Sequence, residues 1–102
     1  MKIVNYATYV ADPDLVVRVR PVHREYMDAL IAGDHLVAGG PLADGGGALF
    51  IYEVDSLEEA RQIVAEDPYT KEGVFADCEL REWNVARAVP VLLTTTAPAE
   101  SR

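Results

Sequence analysis

Two side chains in this sequence, His23 and Asp67, have the right chemistry to move a proton between them and a small molecule. Working together, the imidazole would take up and return the proton. The carboxylate would fix the ring's tautomer, aim its other nitrogen and steady the imidazolium once formed. Other residues suit the holding of a polar ligand. Arg20 offers a cation for an anionic group, one helical turn before His23. Gly39 and Gly40, just ahead of Pro41, present backbone that a ligand oxygen can approach closely. Tyr26 and Tyr69 supply a hydroxyl or a wall. The catalytic candidates are therefore His23 and Asp67, and the substrate-binding candidates are Arg20, Gly39, Gly40, Pro41, Tyr69 and Tyr26.

Each of these residues also has a plainer reading. His23 alone is more often a polar residue on a solvated helix end, and Asp67 before Pro68 is equally a residue that stops a helix. The glycines at 39–40 and 45–47 fit neither a dinucleotide nor a phosphate-loop spacing, so they read as a hairpin. Two histidines without a carboxylate cluster at ligand spacing give no metal site, and nothing in the chain calls for a cofactor. Trp83 falls out of phase with Leu80, which predicts a bulge or a strand buried on both faces.

What brings the candidates together is the order of elements. A strand is predicted over residues 2–10, from Ile3, Val4, Tyr6, Thr8, Tyr9 and Val10. Asp12-Pro13-Asp14 interrupts the chain, and Leu15 to Val19 suits a helix or a strand. A helix then starts at Pro21, with Val22, Tyr26, Ala29 and Leu30 along its apolar stripe, and ends at Gly33. That start puts His23 in the first turn, where the helix dipole favours the neutral, proton-accepting ring. Strands over 36–40 and 48–54 flank the Pro41–Gly47 connection. A second helix, capped by Asp55 or Ser56, runs to Asp67-Pro68, and a last strand spans 78–85.

The resulting order, βαββαβ, predicts an α+β fold of ferredoxin-like type, with two helices on one face of a four-stranded antiparallel sheet. Followed strand by strand, it carries His23, the Gly40-Pro41 turn and Asp67 to one edge. Two helices cover one sheet face only. The strand over 48–54 is apolar on both, with Phe50 and Tyr52 on one side and Leu49 and Ile51 on the other. An exposed apolar face costs about 25 cal/mol per Å2, which predicts a homodimer packed sheet to sheet.

Bulk properties narrow the classes further. With 102 residues the chain is one domain, read as residues 1–88 followed by a loose tail over 89–102. Nine basic against 17 acidic residues leave a net charge of −8, which disfavours nucleic acid and anionic membrane surfaces as partners. Cys78 is the lone cysteine, and no long apolar run suggests a leader or a membrane span. A cytoplasmic protein with a small-molecule ligand is the expectation.

Four stretches in order, Arg20-x-x-His23, Ala38-Gly39-Gly40-Pro41-Leu42, Asp55 to Ala60, and Asp67-Pro68-Tyr69 with Gly73-Val74-Phe75, resemble the YciI-like (YCII-related) domain over residues 1 to about 86. The resemblance implies a dimeric α+β barrel of ferredoxin-like subunits and a His/Asp pair in a pocket, which maps onto His23 and Asp67. One branch of that family includes dehydrochlorinases of chlorinated hydroxyhydroquinones, in which such a pair assists loss of HCl. The wider fold group holds isomerases, monooxygenases and haem proteins, so fold alone does not select a reaction. Ser56 falls at the opposite edge and Ser101 in the tail, which disfavours nucleophilic serine chemistry. The resulting expectation is a cofactor-independent lyase or isomerase, with a non-catalytic, dimeric ligand-binding or pathway accessory protein as the alternative.

Overall fold

Alternation of apolar and polar residues builds the sheet, as the computed structural model of residues 1–93 makes plain. In β1 (Lys2–Tyr9), Ile3, Asn5 and Ala7 are buried while Tyr6 and Thr8 face out. In β3 (Gly47–Glu53), Ala48, Phe50 and Tyr52 point inward. With β2 (Leu36–Pro41) and β4 (Phe75–Trp83), these strands form one antiparallel sheet in the order β2-β3-β1-β4. Helices α1 (Pro13–Ala32) and α2 (Leu57–Glu66) complete the βαββαβ order, with a four-residue helix α3 (Pro68–Lys71) inserted before β4. The ferredoxin-like α+β expectation thus holds. Residues 94–102, most of the expected tail, lie outside the described residues, while Pro90–Leu93 forms a 3-10 turn.

The start of α1 differs from expectation. The helix begins at Pro13, which occupies its first position, and Asp12 caps it by accepting a hydrogen bond from the Leu15 amide at 3.2 Å. It then continues through Pro21. A proline inside a helix forfeits one backbone bond, here to the carbonyl of Val17, and packing of the long helix outweighs that loss. The earlier start rotates the buried stripe to Val16, Val19, His23, Met27 and Leu30, and Val22 is left exposed. His23 is accordingly at mid-helix in a core-facing position rather than in a first turn. The dipole of the helix start, which fades within one turn, does not reach it.

At the other end of the second half, Ser56 caps α2 by accepting from the Glu59 amide, and the Glu59 carboxylate in turn accepts from the Asp55 amide. Asp67 ends α2 and caps α3, accepting from the Tyr69 amide at 2.8 Å. The β1–β3 pairing is close enough that a Cβ on Gly47 would lie 2.0 Å from the Ala7 carbonyl oxygen, so only glycine fits there.

Two groups of buried side chains fill the space under the helices. Ile3, Ala7, Met27, Leu30, Phe50, Tyr52 and Val64 are central to the larger one, and Val16, Val19, Tyr69 and Val74 form the smaller one beside it. Among the described residues nothing covers the opposite sheet face. It carries Val4, Tyr6, Leu49, Ile51 and Trp83 around a shallow depression of about 570 Å3, rimmed by Glu79, Arg81 and Glu82. Trp83 therefore belongs to this open face, in phase with the strand.

Candidate active site

His23 and Asp67 meet. Nδ1 of the imidazole lies 2.8 Å from Oδ1 of Asp67, with the histidine 7% exposed and the aspartate fully buried. An ionised carboxylate only accepts hydrogen bonds, so Nδ1 is the donor to Asp67, and in the neutral ring the lone pair is left on Nε2. Oδ1 of Asp67 also accepts the Tyr69 amide, while Oδ2 is buried with no partner among the described residues. The aspartate that ends α2 and begins α3 is thus the one that orients the ring.

Aromatic rings enclose the imidazole. Tyr69 stacks on it face to face, with ring centroids 3.7 Å apart and planes 2° from parallel. Phe50 and Phe75 meet it edge-on at 5.8 and 6.5 Å. Tyr9 meets Tyr69 edge-on at 5.7 Å and stacks on Phe75 at 6.3 Å. These rings hold the imidazole in one plane and exclude water from its Asp67 side.

A bulge in β4 assembles this box. Ala7 pairs with Cys78 and Thr8 with Asp77, after which Tyr9 pairs with Phe75, so Ala76 is the extra residue. Without it Ala76 would stand opposite Tyr9 and Phe75 would turn to the open face. The irregularity expected near Leu80 and Trp83 lies instead at this end of the strand.

The remaining candidates fall in different places. Tyr69 is the wall of the box. Arg20 is half-buried, three residues before His23 on α1, and its guanidinium is near enough to favour ionisation of the Tyr9 hydroxyl. Tyr26 donates its hydroxyl to the Ile63 carbonyl at 2.7 Å, tying α1 to α2. Gly39, Gly40 and Pro41 lie within the paired edge strand β2 rather than in an open turn, and Pro41 is tolerated there because an edge position leaves room for a missing N–H. Gly39 sits against Phe50, where a Cβ would come 2.7 Å from the ring, so it seats a wall of the histidine box. Sequence reasoning missed Tyr9 and Phe50 as neighbours of the site. The only available signal was that both share the inward phase of their strands.

Neither of two prominent depressions of the single chain is lined by His23 or Asp67. One is on the open sheet face; the other, of about 420 Å3, lies between α2 and β4 beside Arg61, Val64, Ala65, Cys78 and Leu80. The pair is nearly closed to solvent, reached through the small exposed part of the imidazole. Among the described residues, no three of His, Cys, Asp and Glu converge as metal ligands would, and no helix is long and apolar enough to cross a membrane.

Comparison with known proteins bears on what such a site does. Residues 1–84 match the family described as the YCII-related domain. The chain is 35% identical over 65 residues to the uncharacterised protein YjpA of Bacillus subtilis (strain 168), a match covering 64% of this chain and 75% of YjpA. Its fold resembles that of TftG, the 5-chloro-2-hydroxyhydroquinone dehydrochlorinase of Burkholderia phenoliruptrix AC1100, solved in complex with 2,5-dihydroxybenzoquinone. That likeness has a TM-score of 0.74 at 26% identity and covers 82% of this chain and 94% of the other.

Proposed function

The chain belongs to the YCII-related domain family, and from that premise we propose that it is a small-molecule enzyme, a cofactor-independent lyase or isomerase working through the His23–Asp67 pair. The observation that carries this reading is the 2.8 Å contact between Nδ1 and a fully buried carboxylate, which leaves Nε2 as the free base. Nε2 takes a proton from an acidic position of the substrate. The electron pair released moves through the substrate as a leaving group departs with its own bonding pair, and Asp67 stabilises the imidazolium until the proton is handed on. Arg20 steadies the negative charge that develops. Likeness to a dehydrochlorinase supports elimination over the other options.

Chloride release from 5-chloro-2-hydroxyhydroquinone and related halophenols tests this. Wild type should turn over at least one of them, with kcat falling by about 10²–10⁴ in His23→Ala and by a similar range in Asp67→Asn. A His23→Ala variant that keeps the wild-type rate rejects the dyad.

Burial of the pair favours a second reading, in which it ties the core together and the protein is a ligand-binding or accessory subunit. A wild type that is inert on every substrate, yet is stabilised by one of them, would select it. In either case we propose a cytoplasmic homodimer joined through the open sheet face.

A further inference from the structure

Tyr9 has no role in the proton transfer described above, yet three features of the fold converge on it. It stands at the one irregularity of the β1–β4 ladder, where the Ala76 bulge brings Phe75 to face it. It is the outer member of a ring series that runs through Tyr69 to His23. Tyr9 is half-buried, and its hydroxyl takes no hydrogen bond from the described side chains, with the Arg20 guanidinium nearby. A hydroxyl on a ring packed against aromatic neighbours, near a cation and in no side-chain hydrogen bond among the described residues, is available to a ligand oxygen.

We infer that the Tyr9 hydroxyl binds the substrate's ionised oxygen, with Arg20 supplying the opposing charge. His23 then acts at another position of the same molecule. The bulge is the device that aims Tyr9, since a regular strand would replace its Phe75 neighbour with alanine. This assignment rests on the proposal that the small molecule is bound beside His23. It adds that recognition depends on an acidic oxygen, and that Tyr9 rather than Tyr26 or Tyr69 reads it.

Binding of two quinones, followed by calorimetry, separates the possibilities. The first is 2,5-dihydroxybenzoquinone, which ionises; the second is 2,5-dimethoxybenzoquinone, which does not. Tyr9→Phe keeps the ring and its stacking and removes only the hydroxyl. It should raise Kd for the dihydroxy compound about tenfold or more and change the dimethoxy compound little, with Arg20→Gln showing the same contrast. Equal weakening of both quinones, or unchanged binding of both, overturns the role of Tyr9. Wild type that binds the dihydroxy compound but turns nothing over removes the enzyme reading while the Tyr9 contrast still holds. Wild type that binds neither quinone removes both.

Discussion

Tyr9, Tyr26 and Tyr52 show how far the surroundings of single residues depart from water. Burial pushes the hydroxyls of Tyr9 and Tyr26 up to about 12, and that of Tyr52 higher still despite the hydrogen bond that Asn5 donates to it. An unfolded tyrosine ionises near 10, so the folded chain holds protons that the unfolded chain would release. The resulting stability is complete below about pH 10 and is lost as the pH rises through about 12. Urea midpoints should therefore stay level up to about pH 10 and drop above it. A midpoint that stays level through about pH 12 would show these rings to be less desolvated than the fold implies. The same scale explains what could be read in advance about the site. His23 and Asp67 were legible as partners from residue type and the resemblance of their motifs; the edge argument put His23 in a first turn, whereas it reaches Asp67 from the middle of α1. The box around them was not, because Tyr9, Phe50 and Phe75 converge through a bulge and a glycine seat that leave no periodic trace.

Secondary structure was legible wherever it repeats. Inward and outward residues alternate cleanly in β1 and β3, so those strands were predicted nearly to the residue. The start of α1 was misplaced because Asp12-Pro13 and Pro21 both read as punctuation, although the first pair is a helix start and the second is accommodated within the helix. Helix α3 could not be foreseen, since four residues are too few to show a period. The continuity of α1 is open to direct test. Pro21→Ala restores the missing bond to the Val17 carbonyl and should stabilise the protein by roughly 1–3 kcal/mol. Asp12→Ala removes the cap and should cost about 1 kcal/mol. A melting temperature that falls in Pro21→Ala would mean that the helix is instead interrupted there.

For the whole molecule, the open sheet face is the dominant fact. Tyr6 is 50% exposed, Trp83 44% and Leu49 40%, and together with Val4 and Ile51 they form a contiguous apolar surface that two helices on the other side cannot cover. A second copy offering the same surface would bury it by two-fold symmetry. Sedimentation should report twice the chain mass for wild type, and Leu49→Asp, which puts a charge at the centre of the contact, should shift it to the monomer. A monomeric wild type at micromolar concentration would remove the sheet-to-sheet pairing.

Asp67 closes α2, opens α3 and holds the imidazole, and one oxygen serves both the ring and the Tyr69 backbone. Fraying of the short helix is expected to loosen the same acceptor that holds His23. On the proposed mechanism a chain whose Asp67 has let go of the ring is idle, and deuterium uptake at the Tyr69 amide should gauge how often that shared acceptor is released.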